Sequence, residues 1–171
     1  MRKIRYALAS SLDGFIAGPN GEYDWIEMNP DEAGPYFEKF YAQFDTALMG
    51  RKSFEQYGGA VQGMDTYVFS RTLSGEDHKD VTVLTGDDGL GRVAALRSGD
   101  GKDIWLFGGG VLFGSLASAG LVDTVELAVF PVILGSGLPL MAGCGSRVRL
   151  KLQETDTSLD GIVGLTYSIE R

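Results

Sequence analysis

The stretch from Asp103 to Gly120, DIWLFGGGVLFGSLASAG, constrains the fold more than any other. Ile104 to Phe107 form a short apolar run suited to a strand covered on both faces. Leu112, Phe113 and Leu116 then recur at helical spacing, and Gly120 supplies a stop. Gly108, Gly109 and Gly110 stand at the joint. A strand passing into a helix through three glycines has two physical uses. It lets backbone N–H groups approach an anion at the positive end of a helix, or it makes a tight turn and a close helix–sheet contact. The spacing does not match the dinucleotide fingerprint: Gly108 and Gly110 give GxG, but Gly114 falls one position late for GxGxxG.

Short apolar strands followed by helical patterns repeat upstream. Ile4 to Ser10 read as a first strand, and the next segment, SSLDGFIAGPNGEYDW, is turn chemistry interrupted by the apolar pair Phe15 and Ile16. It reads either as a flap over a ligand or as a loop pinned by two buried side chains. Asp13 either orients a substrate or closes a turn. Phe37, Phe40, Tyr41 and Phe44 predict a helix over 31–44 with an aromatic stripe in the core. Thr46 to Met49 form the next strand, which ends in Gly50, Arg51, Lys52 and Ser53 at the start of a short helix through Tyr57. Two cations and a hydroxyl at a helix start suit a phosphate, and cations are otherwise disfavoured at that end.

Thr66 to Phe69 predict a third strand ending in Ser70-Arg71-Thr72, and Val81 to Leu84 a fourth ending in Thr85-Gly86. A weaker helix follows over 89–97. Alternation of this kind implies a largely parallel sheet with right-handed crossovers, so the strand ends at Gly50–Ser53, Ser70-Arg71, Thr85-Gly86 and Gly108–Gly110 line one crevice. After Gly120, Val125, Leu127 and Val129 alternate, and Pro131 breaks the ladder. Val148, Leu150 and Leu152, then Val163, Leu165, Tyr167 and Ile169, read as an antiparallel pair. The expected class is α/β, in a single domain over 1–171: a mixed, mostly parallel central sheet flanked by helices, with antiparallel C-terminal strands.

Composition sets limits on function. The 171 residues carry a net charge of −8, which argues against a nucleic-acid partner needing a basic face. Cys144 is the only cysteine and His78 the only histidine, which excludes an intrachain disulfide and argues against a His-based metal site or triad; no metal is expected. His78, within GEDHKD, is expected to be a solvated loop residue. No segment approaches the roughly 18 apolar residues of a membrane span, and the N-terminus lacks a signal-peptide core, so a cytoplasmic location is expected.

MGRKSFE (49–55), VFSRT (68–72) and LFGGG (106–110) resemble, in order and rough spacing, the dihydrofolate reductase fold. ASSLDGFIA (9–17) and VDTVELAVFPVILGSGLPLM (122–141) resemble the riboflavin-biosynthesis reductase domain, the C-terminal half of the bifunctional deaminase-reductase, and its stand-alone relatives. The resemblance implies an enzyme of the phosphoribosylamino-uracil reductase or dihydrofolate reductase kind, with NADPH as cofactor. It would assign Arg51, Lys52, Ser53, Ser70 and Arg71 to the 2′-phosphate and neighbouring phosphates, with Gly50 and Thr85 on the same edge. Gly108, Gly109 and Gly110 would take the pyrophosphate, with Leu112 and Phe113 nearby, and Ala9 and Ile16 would flank the nicotinamide. Asp13 and then Ser11 are the first choices for polar substrate contact.

Glu126 is a weaker choice, or only a solvent-facing strand residue. Gly135 and Gly137 would border the substrate mouth. The acidic residue that dihydrofolate reductases place early in the first helix falls here at Gly34 and Pro35, a departure that argues against folate. The expectation is therefore NADPH-dependent hydride transfer to a small heterocycle: a pteridine, a pyrimidine or a riboflavin precursor. The alternative is a non-catalytic dimeric module retaining the fold. A homodimer suits either, through the apolar VFPVILGSGLPLM segment, which is otherwise core.

Overall fold

The computed structural model describes residues 1–170. Its centre is an eight-stranded sheet of order β5-β4-β3-β6-β1-β7-β10-β9. The strands are β1 (Ile4–Ser11), β3 (Phe44–Gly50), β4 (Asp65–Phe69), β5 (Thr82–Leu84), β6 (Asp103–Gly108), β7 (Thr124–Phe130), β9 (Leu150–Asp156) and β10 (Val163–Ile169). β5 through β7 in that order pair in parallel, while β10 runs antiparallel to both β7 and β9. The expected class holds. A separate two-stranded sheet pairs β2 (Phe15–Ala17) with β8 (Leu138–Pro139). Phe15 and Ile16, expected as a plug within a loop, are strand residues instead, because the 138–139 segment offers them a backbone partner.

Four helices cover the sheet: α1 (Pro30–Tyr41), α2 (Arg51–Tyr57), α3 (Gly86–Ser98) and α4 (Gly110–Ser118). One face buries Ile4, Tyr6, Leu48, Ile104, Leu106 and Val125 with Val93 of α3 and Phe113 and Leu116 of α4. Tyr6 and Phe113 stack at 4.5 Å between ring centroids, a contact worth about 0.5–1.5 kcal/mol beyond area burial. The other face buries Ala7, Phe44, Ala47, Met49, Val68 and Trp105 with Phe54 of α2. The parity of each strand sets this division, since successive side chains point to opposite faces.

The first helix departs from expectation. It stops at Tyr41, and Phe44 belongs to β3. None of its residues is buried; Phe37 is 38% exposed and Tyr41 40%. Its stability comes from its start and from ring contacts at its end. Asn29 accepts the amide of Asp31 at 3.1 Å, Pro30 opens the first turn, and Asp31 and Glu32 complement the dipole. Phe40 packs edge-on to Trp105 at 5.2 Å. The stripe is thus divided: Phe37 and Tyr41 line an open cleft, Phe40 lines it while packing against the core, and Phe44 is core.

Two further differences are local. His78 is half-buried, its ring edge-on to Phe54 at 5.3 Å, because the 70–81 loop folds back over α2. All of β9 is exposed, Leu150 and Leu152 included, since it is the edge strand of the sheet.

Candidate functional site

The C-terminal ends of the parallel strands open into one cleft of about 1770 Å³. Compact ligand pockets run to roughly 1,000 Å³, so this cleft has room for a dinucleotide together with a second, smaller molecule. It divides along the sheet.

The first half lies over β5, β4, β3 and β6. Gly50, Arg51, Lys52, Ser53, Ser70, Arg71, Thr85, Gly109, Gly110 and Leu112 all line it, as sequence reasoning expected. Two of the strand ends touch: a Cβ on Gly50 would sit 3.6 Å from the Gly108 carbonyl oxygen, and Met49 pairs with Gly108 in the ladder. Arg51 is held by Glu55 one turn along at 2.8 Å, whereas Lys52 and Arg71 are exposed and join no ion pair among the described residues. Ser70 Oγ accepts the amides of Thr72 at 3.1 Å and Leu73 at 2.9 Å, which fixes the turn carrying Arg71. Ala9 and Ile16 line the cleft where this half meets the next.

The glycine joint has one open side and one crowded side. Gly108 has φ +129, a conformation that L side chains rarely adopt, and its peptide bond to Gly109 is cis. A Cβ on Gly109 would make only ordinary contacts, 3.7 Å from Ile16 and from Ser53, so that position faces the cleft without being crowded. Gly110 is on the crowded side: a Cβ there would stand 2.8 Å from the Pro139 carbonyl oxygen, and one on Gly114 would overlap the Ala142 carbonyl. The glycines of α4 therefore admit the 139–144 segment against the helix.

Two expected cofactor residues are placed otherwise. Phe113 is 1% exposed, stacked on Tyr6 beneath α4, because its position on the helix faces the sheet; it is a core residue. Gly108 is buried behind the joint and does not line the cleft.

The second half lies over β1, β7, β10 and β9, beneath α1. Ala9, Ala128, Gly164 and Asp156 are register partners across four strands, and Ala7, Glu126, Thr166 and Glu154 form the row beside them. All eight line the cleft. The small residues make a low floor, and Tyr36 and Phe40, with rings nearly parallel at 6.3 Å between centroids, hang above it. Arg5 Nε and Nη2 donate to the two carboxylate oxygens of Glu126 at 2.7 and 2.6 Å. Burial draws the Arg5 guanidinium down, but the hydrogen bond and charge of Glu126, with Asp103, outweigh it and leave its pKa raised. Burial pushes the Tyr36 phenol up, helped by the negative charges of Glu126 and Asp156.

Glu126 is thus the polar centre of this half and does not simply face solvent. The pair could have been suspected from an arginine at an inward position of the strand IRYALASS, since a charge there needs a partner. Nothing in the sequence names a partner 121 residues away.

Asp13 and Ser11 do not reach the cleft. Ser11 Oγ donates to Asp13 at 2.7 Å, and the Asp13 carboxylate accepts the amides of Leu134 at 3.1 Å and Gly135 at 2.7 Å. Asp13 thereby ties the 131–137 loop to the end of β1. The Ser11 hydroxyl hydrogen bond, against a small burial penalty and aided by the two amides, holds its pKa below the usual carboxylate range. These two residues, expected as substrate contacts, position the loop: the donors around Asp13 come from its own fold. Gly135 is bound to that staple, and Gly137 is required by its close approach to Ala17, so neither opens onto the cleft.

Residues 2–163 match the model of the RibD C-terminal domain. The chain belongs to this family. It is 40% identical to the protein YyaP of Bacillus subtilis over 97% of its own length and 94% of that protein's, and YyaP is itself described as uncharacterized. Among solved structures it is similar to a "Putative riboflavin biosynthesis protein" of Shewanella sp. PV-4, with a TM-score of 0.81 and 25% identity over the whole of both chains. It also shares its fold with a dihydrofolate reductase of Enterococcus faecalis complexed with NADP(H), with a TM-score of 0.69 and 17% identity over 99% and 97% of the two chains. Family and fold place the chain among reductase-type domains. No helix of the described residues is long and apolar enough to cross a membrane.

Proposed function

We propose that this protein is an NADPH-dependent reductase of a small heterocycle. The observation that carries the reading is the continuity of the cleft, from Arg51, Lys52, Ser53 and Arg71 at one end to the flat slot between Tyr36 and the Ala9–Ala128–Gly164 floor at the other. The donor set fits the cofactor. Arg51, Lys52 and Arg71 would meet the 2′-phosphate and its neighbours, Gly109 and Gly110 would lie along the pyrophosphate, and Ala9 and Ile16 would border the ring. When bound, the cofactor supplies a hydride. The chain's own part is to hold substrate and cofactor face to face across Ala9 and to keep water from the slot with Tyr36, Phe40 and Ile16.

Asp13 does not line the slot, and the Glu126 carboxylate inside it is ion-paired with Arg5 instead of being set beside a general acid. The same observation favours the second reading, a module that binds nucleotide without turnover. A homodimer and a cytoplasmic location belong to either proposal; Ile133, 70% exposed in the loop pinned by Asp13, is the apolar surface a second copy would cover.

The test is saturable NADPH binding by calorimetry, with thermal stabilisation rising as RT ln(1 + [L]/Kd), followed by loss of NADPH absorbance across aminopyrimidines, pterins and flavin precursors. Binding with oxidation supports the reductase. Binding without oxidation across the panel supports the module, and absence of binding at millimolar NADPH defeats both.

A further inference from the structure

The two halves of the cleft carry opposite charge. The first half is lined by Arg51, Lys52 and Arg71 and by no carboxylate among the described residues. In the second, Glu126, Glu154 and Asp156 project from the sheet, and Glu32 lies one turn before Tyr36 on the roof; Arg5 and Lys39 are the opposing cations.

Arg5 is the guanidinium of this half, and four of its five N–H donors are committed within the fold. Nε and Nη2 go to Glu126, and Nη1 goes to Gln43 at 2.8 Å and Asp103 at 3.5 Å. A phosphate ester entering the slot would find no bidentate guanidinium and only the single ammonium of Lys39 on the roof, against the carboxylates of Asp31, Glu32, Glu126, Glu154 and Asp156.

Glu126 is less fully used. A carboxylate offers about four acceptor positions. Oε1 takes Arg5 Nε at 2.7 Å and Thr124 Oγ1 at 2.7 Å, and Oε2 takes Arg5 Nη2 at 2.6 Å, so one position remains on Oε2. Its register neighbours on the cleft face are Ala7 and Thr166, neither of which is large enough to cover it. The arginine fixes the plane of that carboxylate, which makes the remaining position directional. A ring N–H or an exocyclic amine lying on the small-residue floor fits it; a phosphate or carboxylate does not.

We infer that the slot selects an unphosphorylated, neutral or cationic amino-heterocycle, and that Glu126, held by Arg5, is the residue that reads its N–H edge. The inference rests on the reductase reading for the location of the substrate, but its test does not depend on turnover. It also separates this chain from the phosphoribosylated pyrimidine that the sequence resemblance implies.

The experiment is calorimetric binding of a matched pair, 5-amino-6-ribosylaminouracil and its 5′-phosphate, to the full chain with and without saturating NADP⁺, with cofactor affinity measured separately. The nucleoside is expected to bind at least tenfold more tightly than the phosphate. Glu154→Gln with Asp156→Asn, at exposed edge-strand positions that leave the core intact, should narrow that ratio severalfold. Glu126→Gln should weaken the nucleoside about tenfold while leaving NADP⁺ affinity unchanged. Equal or tighter binding of the phosphate overturns the inference. So does failure of both to bind when NADP⁺ still binds, an outcome that leaves the cofactor reading standing. Loss of NADP⁺ binding with the nucleoside preference intact overturns the cofactor reading alone.

Discussion

The two halves of the cleft are built in different ways. Over β5, β4, β3 and β6 the cleft-lining atoms sit where a strand has just ended, so each contribution is a run of adjacent residues: Gly50–Ser53, Ser70-Arg71, Gly109-Gly110. Over β1, β7, β10 and β9 they come from within strands, one residue at a time on alternate positions, and are assembled by register. The first construction tolerates sequence change between the joints. The second depends on every strand keeping its partner, because a slip of one residue would turn Glu126 and Thr166 to the opposite face.

The sharpest way to break the comparison is at the close contact beneath the first half. Gly114→Ala places a Cβ on the Ala142 carbonyl, where the neighbour is backbone and cannot move aside. It should destabilise the fold by about 3 kcal/mol, read as a lowered Tm. An unchanged Tm would mean that the 139–144 segment does not pack on α4.

A smaller loss is expected in the second half. Arg5→Ala strands a partly buried carboxylate, with side-chain exposure of only 15% and 17% for the two partners. Loss of one partner of a fully buried pair costs about 3–5 kcal/mol; with this residual exposure the expectation is about 2 kcal/mol, and Arg5→Ala combined with Glu126→Ala should recover part of it. Additive losses in that cycle would show that the pair is not coupled.

The halves should also separate by ligand. Arg71→Ala should weaken NADPH roughly 10- to 100-fold, the equivalent of a charge-assisted hydrogen bond of about 1.5–3 kcal/mol, and change NADH little. Equal losses would remove Arg71 from the 2′-phosphate.

The smallest effect concerns Asp13, which belongs to neither half. Its pKa is depressed in the fold, so the stabilisation it gives the 131–137 loop is present above the unfolded value of about 3.9 and fades as pH falls through the lower folded value. The amide resonances of Leu134 and Gly135 should titrate with a midpoint below that of a free aspartate, and Asp13→Asn should abolish the transition. A midpoint at or above 3.9 would contradict the staple.

The first half was legible because its signals are local. Glycine at a joint, a cation at a helix start and a serine-arginine after a strand each show in a few adjacent letters. The errors came where a local signal had two outlets. The spacing of Phe37, Phe40 and Tyr41 showed a helix with an apolar stripe, but a stripe over a cleft and a stripe over a core look alike in sequence. Phe113 read from its spacing as a helix residue, and only the family resemblance set it near the cofactor; the helical turn carries it to the core. Asp13 read from its residues as either a substrate contact or a turn-closer, and only the family resemblance favoured the substrate; its bonds in the fold are those of a staple.

By itself the sequence determined the alternation of strands and helices, the parallel centre with its antiparallel edge, and the positive strand ends, because periodicity, turn residues and charge are properties of short windows. Only the tertiary structure decided that Arg5 meets Glu126, that Ala9, Ala128 and Gly164 lie in one row under Tyr36, and that Asp13 holds the 131–137 loop. Those outcomes depend on which strands pair and in what register, and β1 and β7 are joined by more than a hundred residues of intervening chain. The glycine joint at 108–110 belongs to both accounts. Its sequence showed that a backbone must come close to something, and the fold supplied the cleft on one side of it and the 139–142 segment on the other.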